Sequence, residues 1–136
     1  MEGGMAKAKK VKNLSFTLPN KVGLLYDISS ALANAKVGID AIYAYEMEDR
    51  ACFMLAVVSP ARALKALAVT GAEIKEEEAV AVEMPHRVGE LMKVAKKLAD
   101  AGVNINLIYG TTGTGKAGTC LFKTADNKKA IRVINK

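Results

Sequence analysis

The chain repeats itself once. Pro19-Asn20-Lys21-Val22-Gly23-Leu24-Leu25 returns 66 positions later as Pro85-His86-Arg87-Val88-Gly89-Glu90-Leu91. Beyond it, Leu25, Ile28, Leu32, Val37, Ile39, Ile42 and Tyr43 match Leu91, Val94, Leu98, Val103, Ile105, Ile108 and Tyr109 at the same spacing. Ala51-Cys52-Phe53-Met54 aligns with Thr119-Cys120-Leu121-Phe122 at a shift of 68, which implies a two-residue insertion in one loop of the second copy. Ala63–Leu67 aligns with Ala130–Ile134 at 67. A register kept this long means two copies of one small unit, and function is to be sought where the copies meet.

The chain has 136 residues, enough to bury roughly 65–70% of the unfolded surface as one body. One copy alone, at about 60 residues, stands near the lower limit for independent stability. No apolar run approaches the ~18 residues that would cross a bilayer. The lysine-bearing N-terminus has no apolar stretch behind it and does not read as a signal peptide. The two cysteines read as small buried hydrophobes at equivalent strand positions, not as a disulfide framework. These features together point to a reducing, cytoplasmic setting. The net charge of +6 is uneven: residues 79–136 carry ten basic and four acidic side chains, residues 13–78 six basic and nine acidic. No aromatic platform accompanies the basic stretches, so solvated helix faces are the expectation and nucleic-acid binding is not.

Each copy reads in the same order. Leu14, Phe16 and Leu18 alternate with polar residues, the mark of a half-buried strand. Pro19 ends that strand. Leu24, Leu25, Ile28 and Leu32 then fall at helical spacing, with Gly38 expected near the helix end. Ile39–Met47 and Ala51–Ser59 read as strands around a polar turn, Ala61–Val69 as a short helix and Ala72–Glu76 as a short fourth strand. Glu76-Glu77-Glu78 reads as a solvated connector. The order β-α-β-β-α-β gives an α+β, ferredoxin-like sandwich with both helices on one face of an antiparallel sheet. Apolar residues on both faces of strands at Ile42-Tyr43 and Val57-Val58 imply partial cover of the other face. The second copy stops at Lys136 without room for a full fourth strand, leaving an exposed edge, a short one, or a strand received from elsewhere. The divisions expected are a disordered basic stretch over residues 1–10, a first module over 11–77 and a second over 78–136.

These residues resemble the ACT domain, a small regulatory module that commonly binds amino acids. The carriers are Leu18–Leu25, its echo Met84–Leu91, and the helix-to-strand passages Ala35–Tyr43 and Ala101–Tyr109; Val22 and Val88 stand where the family usually has proline. The resemblance implies two modules side by side, with a ligand at their junction, held between the first strand–helix loop of one and the second strand of the other. Glycine lets a ligand approach backbone closely, and free N–H groups at a helix start suit a carboxylate. The expected ligand contacts are therefore Asn20, Val22, Gly23, Leu24 and Leu25 in the first copy. In the second they are His86, Val88, Gly89, Glu90 and Leu91, with Asn104 and Ile105 at the start of the second strand. Gly23 and Gly89 could instead serve loop packing alone, Asn104 a turn, and His86 nothing.

Gly110-Thr111-Thr112-Gly113-Thr114-Gly115-Lys116 matches a phosphate-binding loop in letters only. Ala117 replaces the Ser or Thr that would hold magnesium, and the following segment reads as a strand where a helix is needed. The expectation is a flexible hairpin loop. No catalytic or metal constellation is present, so neither enzyme activity nor a cofactor is expected. The expected function is a non-catalytic regulatory module for a small ligand, an amino acid, with a regulated enzyme as partner and a homodimer as the working state. The alternative is an assembly module that uses the open sheet face or edge without a metabolite.

Overall fold

The computed structural model describes residues 5–111 and 117–136. The chain forms two compact units. One is Lys12–Glu77; the other is Glu78–Lys136 together with the N-terminal residues through Val11.

The first module takes its opening strand from β1 (Lys7–Pro19), then α1 (Leu24–Asn34), β2 (Ile39–Met47), β3 (Arg50–Val57), α2 (Pro60–Leu67), a 3-10 turn at Ala68–Thr70 and the start of β4 (Lys75–Pro85). Its strands lie in the order β2-β3-β1-β4, so β2 is an edge strand. β1 pairs with β3 antiparallel, Leu14 opposite Leu55 and Phe16 opposite Phe53; β3 pairs with β2, Ala44 opposite Phe53. Leu14, Phe16, Phe53 and Leu55 point to the helices and meet Leu24, Ile28 and Leu32 of α1 and Ala63 and Leu67 of α2. The Phe16 and Phe53 rings stack at 5.1 Å. The four-residue spacing of the buried helix positions explains why these segments are helices packed by one stripe. Pro60 opens α2, where its missing N–H costs nothing. α1 closes through Lys36, at φ +60°, with Val37 N–H donating to Leu32 O at 2.9 Å. The left-handed cap is thus Lys36 and not the expected Gly38, whereas the second copy places Gly102 there, at φ +71°.

The second module runs β4, α3 (Glu90–Asp100), β5 (Ile105–Thr111), β6 (Ala117–Thr124) and α4 (Asn127–Ile134). Val80 lies opposite Phe122 and Val82 opposite Cys120. Val80, Val82 and Phe122 pack against Val94 and Leu98 of α3 and Ala130 and Ile134 of α4. Asp126 caps α4, accepting from Lys129 N–H at 3.0 Å. Among the described residues α4 is the last element of this copy.

The missing strand comes from the other end of the chain. Lys7–Val11, the first part of β1, belongs to the second module and lies beside β4. Ala8 joins the buried core with Val80 and Val82. Asn135 clamps it, its Oδ1 accepting from Ala8 N–H at 2.7 Å and its Nδ2 donating to Ala8 O at 3.0 Å. Lys10 pairs with Glu78 at 3.6 Å. The expectation of disorder through residue 10 is therefore corrected from Lys7 onward: alternation is hard to see in Lys7-Ala8-Lys9-Lys10, because a strand of lysines needs only one small inward residue when Asn135 supplies side-chain bonds. Glu76–Glu78 is likewise strand, inside β4, and not a solvated connector.

The pairing also corrects the repeat. Leu14 and Phe16 oppose Leu55 and Phe53, as Val80 and Val82 oppose Phe122 and Cys120. Phe53 is thus the counterpart of Cys120, and the shift from β3 onward is 67, in step with Ala63–Leu67 and Ala130–Ile134. One inserted residue replaces the expected two. Cys52 and Cys120 are not equivalent: a one-residue slip turns a side chain to the other face, and Cys52 faces away from the helices while Cys120 faces them.

Candidate functional site

The Pro-x-x-x-Gly segments make the same loop twice. Gly23 (φ +89°) and Gly89 (φ +92°) are left-handed and stand immediately before α1 and α3. That backbone conformation costs a side-chain-bearing residue roughly 1–2 kcal/mol, which accounts for glycine at both. A Cβ added at either position meets nothing within 4 Å, so backbone strain and not crowding selects glycine there.

Beside each loop is a cleft of ligand-accommodating size. In the second module it has a volume of about 360 Å³. Met84, His86, Arg87, Glu90 and Leu91 form one wall; Ile108, Tyr109, Gly110, Gly118 and Cys120 form the other. In the first module the cleft has about 340 Å³ and is lined by Asn20, Lys21, Gly23, Leu24 and Leu25 against Ala44, Tyr45, Glu46, Ala51 and Phe53. Each cleft is built from one module's own residues. Seven lining positions correspond at shifts of 66 before the insertion and 67 after it, Asn20/His86, Lys21/Arg87, Leu24/Glu90, Leu25/Leu91, Ala44/Gly110, Ala51/Gly118 and Phe53/Cys120, which makes the cleft a property of the fold and its polar groups a property of each copy.

The polar groups differ. In the first module Asn20 Nδ2 donates to Glu46 Oε2 at 3.1 Å, and Lys21 pairs with Asp27 at 3.2 Å. In the second, Glu90 occupies the position of Leu24. Its carboxylate lies within 3.2 Å of Arg87 and 3.1 Å of Lys93, both through Oε2. Tyr109 has its pKa pushed up to about 12 by burial, and burial also raises the Cys120 thiol. Both groups are thus neutral near pH 7. Gly110 stands opposite Cys120 in the β5–β6 pair, and a Cβ there would come within 2.7 Å of Thr119 O and 2.8 Å of Cys120 Cα. This glycine is required because two backbones approach too closely for a side chain.

Of the expected contacts, His86, Glu90 and Leu91 line one cleft, and Asn20, Gly23, Leu24 and Leu25 the other. Val22 and Val88 are fully exposed beside the loops. The expectation for Asn104 and Ile105 concerns the loop of the other module; within their own module they stand away from the loop. β4 and β5 both pair antiparallel to β6 and therefore run in the same direction. The end of β5 then lies level with the loop, and its start lies at the far end of the sheet, where Ile105 is opposite Thr124. Asn104 Nδ2 donates instead to Asn106 Oδ1 at 3.0 Å. The same direction rule shows what the sequence reading missed: Ile108, Tyr109 and Gly110 at the strand end, and Cys120 on the next strand. The Tyr43/Tyr109 match was visible in the repeat, but only the topology assigns that end of the strand to the loop. Residues 112–116 of the phosphate-loop look-alike, with the expected hairpin loop, lie outside the described residues; Ala117–Thr124 after it is strand.

The model of the ACT domain pair matches residues 9–136. The chain belongs to this family. No curated protein matches the sequence. Among solved structures, a protein from Bacteroides thetaiotaomicron is similar at 26% identity, covering 94% of this chain and 88% of that one, with a TM-score of 0.85. The regulatory subunit of aspartate kinase from Thermus thermophilus, in its ligand-free form, shares the fold at 19% identity and a TM-score of 0.70, covering 92% of this chain and 91% of that one. The corresponding subunit from Thermus flavus does so at 18% identity and 0.63, covering 99% and 97%. Among the described residues no helix is long and apolar enough to cross a membrane.

Proposed function

We propose that this ACT domain pair is a non-catalytic regulatory protein whose ligand is a small amino acid, bound at the strand–helix loops. The observation that carries the reading is the doubled cleft: a left-handed glycine, a helix start with free N–H groups, and a mostly apolar opposite wall, present twice. Binding there would favour one state of the protein over another only to the extent that the two states differ in affinity, which is what regulation requires. A regulated enzyme is the proposed partner; two chains of this fold are named as regulatory subunits of aspartate kinase. A metabolite sensor needs affinities only in the micromolar-to-millimolar range, about 4–8 kcal/mol. Thermal-shift screening with the twenty amino acids at millimolar concentration tests the proposal: stabilisation by one or a few supports it, and a flat response to all counts against it.

A second reading has its own observation. β2, an edge strand of nine residues, exposes Ile42, Tyr43, Tyr45 and Met47. Long apolar edges are pairing surfaces, and a second copy is the occupant proposed, giving a homodimer. Ile42→Lys should lower the sedimentation coefficient from dimer to monomer; a wild-type chain that sediments as a monomer at micromolar concentration removes this reading.

A further inference from the structure

The two modules differ in charge on the outer side of their helices. α3 and α4 carry six basic and two acidic side chains, where α1 and α2 carry two basic and one acidic. Asp27, Ser30, Ala31 and Ala61 of the first module correspond to Lys93, Lys96, Lys97 and Lys128 in the second. The first module folds on the same plan without these cations, so the fold does not require them. Val94 and Leu98 of α3 and Ala130 and Ile134 of α4 are buried against one face of the sheet. Lys93, Lys96, Lys128 and Arg132 are exposed on the solvent side of the same helices. Lys97 Nζ ties the two helices together, donating to Ile134 O at 3.0 Å and Lys136 O at 3.1 Å. Both acids of the layer are engaged: Glu90 is buried with Arg87 and Lys93 at its carboxylate, and Asp100 pairs with Lys96 at 3.1 Å. Among the described residues the side chains of Lys128, Lys129 and Arg132 have no ion-pair or hydrogen-bond partner. Lys128 and Arg132 stand four apart, a spacing at which like charges weaken a helix.

We infer that this α3–α4 layer is a docking surface for the phosphate backbone of double-stranded nucleic acid, held by charge without reading sequence. Solvated helix faces are the expectation from the sequence, because no stacking groups accompany the lysines. A duplex needs none: its bases are already stacked, and its backbone carries one charge per about 1.7 Å. The make-up of the layer selects among anionic partners. Among the described residues the large apolar side chains exposed on these helices, Leu91 and Met92, sit in the first turn of α3, and α4 exposes none. A lipid surface takes an apolar face along with cations. A protein partner takes aromatic or apolar anchors at the centre of the contact, where lysine is depleted. A single strand takes aromatic platforms. Cations alone fit a duplex backbone. Lys96, Lys128, Lys129 and Arg132 line neither cleft, so duplex binding and amino-acid binding stand or fall separately.

Fluorescence anisotropy of the full chain with short DNA duplexes of two unrelated sequences is the test. Both duplexes should bind with equal affinity, and more tightly than their single strands. Contacts from Lys96, Lys128, Lys129 and Arg132 should give a slope of about −3.6 for log affinity against log salt, a loss of roughly a hundredfold between about 50 and about 200 mM. Lys96→Ser with Lys128→Ala, which installs the residues of the first module, should remove about two units of that slope and weaken binding at least about tenfold at the lower salt. Lys65→Ala with Lys75→Ala makes the same change of net charge on the first module and should leave affinity within about twofold. Lys96→Arg with Lys128→Arg, which keeps the charge, should retain the wild-type slope, and circular dichroism checks that each variant is folded. Equal losses in the two charge-removing variants would mean that net charge alone attracts the duplex, and that overturns the inference. So does the absence of duplex binding at the lower salt, tighter binding of single strands, or a preference for one duplex sequence. Vesicles of phosphatidylserine and phosphatidylcholine are the lipid arm: binding to them without binding to the duplexes assigns the layer to a membrane surface and overturns the inference as well.

Discussion

At the scale of single residues the two loop glycines and the strand glycine do different work. Gly89 is held by its backbone angle, and the space beside it is open. Gly89→Ala should therefore cost only the left-handed strain, roughly 1–2 kcal/mol in urea denaturation. Gly110→Ala drives a Cβ into the backbone of Thr119 and Cys120. It should cost more than Gly89→Ala and separate β5 from β6 at the cleft; equal losses would mean that the strands can part without penalty. Tyr109 supplies a titration at the same place. Its pKa in the fold is about 12, above the ordinary phenol value near 10. Its contribution to stability is thus intact below pH 10 and is lost as the pH rises towards 12, because the unfolded chain ionises first. Phenolate absorbance should show a late step near pH 12 that Tyr109→Phe removes. A step that survives the substitution would assign it to another tyrosine.

At the scale of elements, the sequence carried most of the order and less of the ends. The alternation of Leu14, Phe16 and Leu18 and the four-residue spacing of Ile28 and Leu32 are local signals, and the corresponding elements stand where they were read. The shared strands were not legible in the same way. β1 and β4 each close one module and open the other, so the joint falls inside a strand where composition gives no sign of it. Cys-to-Cys identity drew the alignment of β3 and β6 one residue out of register, because matching letters outweighed the alternation that places Phe53 and Cys120 on the same face. Asn104 is expected against the loop of the other module; within its own module, strand direction sets it at the far end of the sheet from the loop. The N-terminal strand gives a direct prediction. Deleting residues 1–11 removes Ala8 from the core and both Asn135 bonds, so it should lower the melting temperature and raise hydrogen exchange selectively in Glu78–Lys136. Asn135→Ala should do the same to a lesser degree, about 1–3 kcal/mol for the lost pair of bonds. A deletion that leaves exchange in that module unchanged would show that Lys7–Val11 contributes nothing to it.

At the scale of the whole molecule, duplication gave two clefts with one architecture and then different chemistry. The first has an apolar helix start at Leu24; the second has Glu90 between Arg87 and Lys93. A family pattern predicts the shared part, the loop and the glycine, and cannot predict the part in which the copies have diverged. The most direct measurement is a titration of the isotopically labelled chain with the twenty amino acids, read as backbone amide shifts. The account predicts that at least one amino acid moves Arg87–Leu91 together with Ile108–Gly110, saturably and at no more than millimolar concentration. Saturable shifts confined to the β2 edge, or none with any amino acid, would contradict it.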